Sequence, residues 1–133
     1  MSKNERLVLL SVPNLAGNEW KYVKDCLDTG WISSAGSYVN KFEQMVADYA
    51  GAKYGIACVN GTAGLHVALM LAGVQPNDYV IVSNITFVAS ANAIKYAGAE
   101  PILIDAEPGT WQLNLDLLEE FLETKTILND QGE

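Results

Sequence analysis

Residues 54–69 constrain the fold most strongly, because they combine a short apolar run, a turn of small polar residues and the start of a helix. Ile56–Val59 has the composition of a buried strand, Asn60-Gly61-Thr62 is typical of a turn, and Ala63–Leu71 fits a helix. A helix that begins directly after such a turn presents free backbone N–H groups and the positive end of its dipole. The segment therefore predicts a strand–turn–helix unit that can hold an anion, usually a phosphate.

The rest of the chain predicts an α/β fold. Two helices come first, at Asn18–Asp28 and at Ser37–Ala50, with Ser37 as the cap of the second and a glycine shortly after each. The predicted later elements are, in order, a strand at Tyr79–Ser83, a helix at Val88–Tyr96, a strand at Pro101–Asp105 and a helix at Leu115–Glu123. The strands are continuous apolar runs, which is typical of a parallel sheet covered on both faces.

Length and charge exclude several classes of function. The chain has 133 residues, half of them apolar, and a formal net charge of −8, which favours one acidic globular domain. Such a charge argues against nucleic-acid binding and against binding to an anionic membrane surface, so backbone donors must hold any anionic ligand locally. The apolar runs are too short to span a bilayer and the N-terminus does not resemble a signal peptide, so we expect a cytoplasmic protein.

The two cysteines, Cys26 and Cys58, are expected to be reduced core thiols. Their positions, on a predicted helix and a predicted buried strand, do not favour a disulfide or a metal pair. No metal site is therefore expected.

The turn after the first predicted strand carries the clearest candidate residues. Gly61 lets the backbone approach a ligand closely, the Thr62 hydroxyl can donate a hydrogen bond, and Ala63 leaves the helix start unobstructed. The alternative is an ordinary turn with Thr62 as N-cap. Because neither G-x-G-x-x-G nor a Walker A pattern occurs, dinucleotide or nucleoside-triphosphate binding is disfavoured.

Other candidates follow the later strands, whose carboxyl ends gather on the ligand side of a parallel sheet. Phe87 can stack on a planar ring there, or it can fold into the core beside its helix. Asp105 and Glu107 can act as an acid–base pair or accept a ligand hydrogen bond, but such residues more often cap the next turn. His66 has no visible partner and reads as a packed or surface histidine.

Four stretches in this order and spacing resemble the N-terminal part of the pyridoxal-phosphate-dependent sugar aminotransferases of the DegT/DnrJ/EryC1/StrS family. They are residues 30–36, 60–69, 86–93 and 101–105. The resemblance runs from Pro13 to Glu123. It implies the N-terminal part of an aspartate-aminotransferase-like (fold type I) domain, with parallel strands, flanking helices and an incomplete sheet.

The resemblance implies pyridoxal 5'-phosphate (PLP) as the cofactor. In the family, residues matching Gly61, Thr62 and Ala63 hold the cofactor phosphate, and the aromatic residue matching Phe87 stacks on the pyridine ring. Residues 37–133 would then form a partial PLP-binding α/β domain.

The resemblance also implies a nucleotide-linked keto sugar and an amino-acid donor as partners. The family loop that matches Trp31, Ser33 and Ser34 lies where the nucleotide sugar binds. Residues 1–36 would then form an N-terminal arm, a helix and this active-site loop.

The family's cofactor-bearing lysine and the acidic partner of the pyridine nitrogen lie downstream of the matched part. None of the lysines here occupies a matching context, so we expect no catalytic residue in this chain. In the family's sheet, the strand matching Ile56–Val59 is separated from the next two by strands that arrive later, so we expect exposed apolar surface and self-association as a homodimer or larger assembly. Two other functions stay open: a truncated, non-catalytic binding or dimerisation module, and an unrelated phosphate-binding α/β domain, such as a flavodoxin-like one.

Overall fold

The protein is described by a computed structural model that covers Leu9 and residues 11–127. The described residues form two compact units, one extending to Ile56 and the other starting at Ala57. The functional division at residue 36 stays a prediction.

The first unit contains two helices, α1 (Glu19–Thr29) and α2 (Ser37–Ala50). Both end at glycines in the left-handed region, Gly30 with φ 75° and Gly51 with φ 65°, as expected for helix stops without a Cβ penalty. Both predicted helices are confirmed, and α1 lies one residue later than expected. The prediction that Ser37 caps α2 is wrong, because Gly36 is the N-cap and Ser37 is already helical.

Side chains from one turn of each helix join α1 to α2. The rings of Tyr22 and Tyr38 lie 5.3 Å apart, and the Tyr38 hydroxyl donates to Oδ2 of Asp25 at 3.0 Å. The Lys41 ammonium lies 5.5 Å from the centre of the Tyr22 ring. Desolvation, and then the hydrogen bond to the Asp25 carboxylate, raises the pKa of Tyr38 above its usual value.

The second unit contains three helices and two strands. In chain order these are α3 (Gly61–Leu71), β1 (Tyr79–Ser83), α4 (Ala89–Tyr96), β2 (Glu100–Ile104) and α5 (Leu115–Lys125). The strands pair in parallel, from Tyr79 opposite Glu100 to Ser83 opposite Ile104. The predicted strand and helix types after residue 60 are all confirmed, with bounds that differ by two residues or fewer, and so is the parallel sheet.

The predicted strand at Ile56–Val59 does not form. A strand exists only through hydrogen bonds to a neighbour, and within the described residues the sheet consists of β1 and β2 paired with each other. The composition of the segment fits a strand, but no partner strand is there to complete it. Cys58 is consequently exposed rather than part of a core, although both cysteines are free as predicted.

The buried apolar core of the described chain is small. In the second unit it consists of Ala93, Ile94, Ala99 and Ile104, where α4 packs against the strands. Among the described residues of the first unit, only Ala47 is buried. Most large apolar side chains are exposed, among them Trp20, Val23 and Leu27 on α1 and Phe42, Val46 and Tyr49 on α2. The expectation of exposed apolar surface is therefore confirmed.

Among the described helices, none is both long enough and apolar enough to cross a membrane.

Candidate functional site

The start of α3 forms the turn at which the sequence predicts anion binding. Asn60 is the N-cap, with extended backbone (φ −163°, ψ 173°), and its Oδ1 accepts a hydrogen bond from the Ala63 N–H at 2.9 Å. The alternative in which Thr62 is the N-cap is wrong, since Thr62 is the second helical residue. Asparagine is one of the residues preferred at N-caps, so this role was visible in the sequence although the prediction missed it.

Two amides at this helix end are available to a ligand. The Ala63 N–H is taken by the Asn60 side chain and the Gly64 N–H donates to the Asn60 carbonyl at 3.1 Å. In the described part of the chain, the N–H groups of Gly61 and Thr62 donate to no acceptor. The first amides of a helix have no partner within the helix, and here the cap satisfies only that of Ala63, since the Gly64 bond is the first of the regular helix ladder.

The approach to these amides is open. A Cβ added at Gly61 would meet no described atom within 4 Å, and the same holds for Gly64. Thr62 and Ala63 are half-buried, and Thr62 Oγ1 has no hydrogen-bond partner among the described residues. The turn therefore combines two unpaired amides and one hydroxyl with open space beside Gly61, an arrangement that suits an oxyanion.

Phe87 lies on the turn between β1 and α4. Its side chain is 79% exposed, so the alternative that it folds into the core is wrong for this chain. The exposed ring can offer a face to a planar ligand. Its role in stacking stays a prediction.

The two carboxylates after β2 have different surroundings. Glu107 accepts a hydrogen bond from the Thr110 hydroxyl at 2.8 Å, and its carbonyl accepts from the Trp111 N–H at 3.0 Å, so Glu107 stabilises the next turn. Asp105 instead accepts a hydrogen bond from the side chain of Asn84. The two carboxylates therefore hydrogen-bond to different partners, Asn84 and Thr110. The Asn84–Asp105 contact was missed because the two residues are 21 positions apart.

His66 is a packed histidine and not a surface one, which is one of the two alternatives that the sequence left open. It is half-buried on α3, and its ring lies edge-on to Tyr96 of α4 at 5.9 Å. It therefore belongs to the contact between α3 and α4.

The predicted substrate loop belongs to the first unit. Trp31, Ser33 and Ser34 lie between α1 and α2 and all three are exposed, Trp31 to 60%. The loop starts with a hydrogen bond from the Ile32 N–H to the Gly30 carbonyl at 3.2 Å. Its contact with a nucleotide sugar stays a prediction.

No cluster of three or more His, Cys, Asp or Glu side chains suited to a metal ion occurs among the residues the structure describes. The candidate groups described at the start of α3 and at the turn after β1 are backbone donors, one hydroxyl and an exposed aromatic ring.

Comparison with known proteins identifies the family. The sequence profile of the DegT/DnrJ/EryC1/StrS aminotransferase family matches residues 13–129. The chain belongs to this family, which confirms the resemblance drawn from the four motifs.

Individual relatives are sugar aminotransferases or related enzymes. GDP-perosamine synthase of Caulobacter vibrioides is 46% identical over 119 residues, which cover 90% of this chain and 32% of that protein. The aminotransferase from Psychrobacter cryohalolentis has a similar structure, with a TM-score of 0.73 at 30% identity over 81% of this chain and 28% of that one. NtdA from Bacillus subtilis, solved with bound cofactor PMP, gives a TM-score of 0.69 at 32% identity over 76% of this chain and 23% of that one.

The chain thus spans about a third of the length of the curated relatives that it matches. Its α/β architecture with an incomplete parallel sheet is the N-terminal part of the fold of these PLP-dependent aminotransferases.

Proposed function

We propose that this chain is the N-terminal segment of a PLP-dependent aminotransferase that acts on a nucleotide-linked keto sugar, with an amino acid as the amino donor. The observation that carries the proposal is the start of α3, where the amides of Gly61 and Thr62 have no acceptor among the described residues and the space beside Gly61 is open. Family membership and the similarity to GDP-perosamine synthase support the sugar substrate. We further propose a cytoplasmic location and assembly with a second copy.

The chain's contribution to cofactor binding is electrostatic and steric. The N–H groups of Gly61 and Thr62 and the Thr62 hydroxyl would donate to the phosphate of PLP, aided by the dipole of α3. The Ala63 amide is already used by Asn60, so Ala63 contributes a side chain small enough to leave the turn open. The Phe87 ring would stack on the pyridine ring.

The bound cofactor would serve as an electron sink and carry the amino group between half-reactions. The lysine that binds it covalently is, in this proposal, not one of the lysines of this chain. The loop with Trp31, Ser33 and Ser34 would contribute to the wall of the nucleotide-sugar site.

Titration of the 133-residue chain with PLP tests the proposal. We expect weak binding that inorganic phosphate competes away, and no lysine adduct after borohydride reduction. A trapped adduct at one lysine would show that a lysine of this chain does carry the cofactor. Failure to bind PLP at any accessible concentration would instead favour the non-catalytic association module.

The substitution Thr62→Val tests the phosphate turn directly. It removes the hydroxyl and keeps the shape of the side chain, so we expect PLP affinity to fall by roughly 1 kcal/mol, the usual net value of one hydrogen bond. The free energy of unfolding should change little, because Asn60 and not Thr62 caps the helix. Unchanged PLP affinity would remove Thr62 from the site.

A further inference from the structure

Asn84 joins the carboxyl ends of the two strands by two hydrogen bonds. Its backbone N–H donates to the Ile104 carbonyl at 2.9 Å, which continues the pairing of the strands one residue past Ser83. Its side-chain Nδ2 donates to Oδ1 of Asp105. Because both bonds leave the same residue, a rotation of the Asn84 backbone would break at least one of them.

Asp105 is held in place from its other side. Its carbonyl accepts a hydrogen bond from the Asn114 N–H at 2.9 Å, and the next residue, Ala106, forms an antiparallel bridge with Leu113. The carboxylate that meets Asn84 is therefore presented from a backbone fixed by a small hairpin. A hydrogen bond to an ionised acceptor is also stronger than one between neutral groups.

The other end of the turn is tied to α4. The hydroxyls of Thr86 and Ser90 lie 3.2 Å apart, and the Ser90 N–H donates to the Phe87 carbonyl at 3.0 Å. Phe87 thus lies between two anchored points. Since its ring is exposed, packing constrains it little, and the anchors of the turn set the direction in which its side chain leaves the backbone.

We propose that Asn84 and Asp105 form a positioning pair that fixes the backbone of the turn and thereby the direction of the Phe87 ring. The use of that direction, presenting a ring face to the cofactor, rests on the proposed function. Asp105 then acts through its hydrogen bond to Asn84 and not as an acid or base.

Fluorine NMR of the chain labelled with 4-fluorophenylalanine tests the pair without any cofactor. The chain has three phenylalanines, Phe42, Phe87 and Phe121, and Phe87→Leu identifies the signal of Phe87. We expect Asn84→Ala to shift or broaden that signal by more than its line width while the signal of Phe42, which lies on α2 in the first unit, stays in place. An unmoved Phe87 signal would overturn the proposal.

A reciprocal exchange separates positioning from general damage. Asn84→Asp alone places two carboxylates together and should displace the Phe87 signal, whereas N84D/D105N restores an amide–carboxylate pair in reverse order and should restore it. If circular dichroism shows that Asn84→Ala is unfolded, the reciprocal exchange tests the proposal in its place. A folded N84D/D105N whose Phe87 signal stays displaced would contradict the positioning pair. Gln44→Ala is the matched control, because Gln44 donates a similar bond to Asp48 at 2.7 Å within α2.

Binding of two probes connects the pair to the site. Asn84→Ala should weaken PLP binding about two- to tenfold, the scale of one ring contact, and leave the affinity for inorganic phosphate unchanged. An equal loss for both probes would contradict a role confined to the ring. If the wild-type chain binds no PLP, the proposed function fails, and the fluorine signals still decide whether the pair positions Phe87.

Discussion

At the scale of single residues, helix capping and ligand binding at the start of α3 are carried out by different residues, although both are predicted from the same sequence pattern. Asn60 satisfies the Ala63 amide and so stabilises the helix, which leaves the amides of Gly61 and Thr62 for a ligand. A cap typically contributes about 1 kcal/mol to stability, whereas unpaired amides contribute only when an anion binds. Stability and binding at this turn therefore depend on different atoms of neighbouring residues.

Gly98 directly follows the C-cap of α4, and its replacement should lower the stability of the fold. Its φ is +79°, and an added Cβ would lie 3.2 Å from Cβ of Pro76. We expect Gly98→Ala to lower the free energy of unfolding by about 1–3 kcal/mol, from left-handed strain together with this contact. Urea unfolding followed by circular dichroism measures the change.

Gly64→Ala is the matched control. Gly64 lies within α3 and has open space around it, so alanine should raise stability by about 0.5–1 kcal/mol. Equal effects at the two positions would show that the Gly98 turn is not formed as described.

At the scale of elements, the sequence predicted correctly those helices and strands whose ends are determined by local interactions. The bounds of α2 and β1 match the prediction, because Gly51 stops the helix and polar turn residues flank the strand. Ile56–Val59 failed because a strand needs a distant partner that composition does not reveal. The Asn84–Asp105 contact was missed for the same reason, although both residues follow parallel strands and were therefore candidates to meet.

The stability of the contact between α1 and α2 should depend on pH in the alkaline range. The pKa of tyrosine in unfolded chains is about 10, and that of Tyr38 is higher in the folded chain. The folded state therefore holds this proton more tightly, so the stabilisation is fully present below about pH 10 and is lost as pH rises through the folded pKa.

Tyr38→Phe should consequently make the alkaline loss of stability shallower. Urea unfolding across this pH range, compared with wild type, measures the effect. Tyr49→Phe, on the exposed side of α2, is the control and should keep the wild-type slope. An identical slope in Tyr38→Phe would show that the bond to Asp25 does not persist in solution.

At the scale of the whole molecule, composition predicted enough apolar residues for a core, but the described chain buries few of them. Helix α3 shows the reason. Its residues are apolar on nearly all sides, which is typical of a helix surrounded by protein, yet α4 is the main element packed against it. A free face remains at Val67, Met70 and Leu71, with Leu71 84% exposed. Sequence patterns show that a face is apolar but not which part of a larger fold covers it.

This free face of α3 leads us to expect concentration-dependent self-association, opposed by the net charge of −8. Added salt screens that repulsion and should strengthen association. Leu71→Lys should weaken it, and Glu120→Gln is the matched control, because both substitutions make the net charge one unit less negative but only the first alters the apolar face. Light scattering over a range of concentration and salt, with an apolar-surface dye, measures both effects. A monomer at every concentration and salt level would contradict the expectation, and equal association of the two variants would place the contact away from α3.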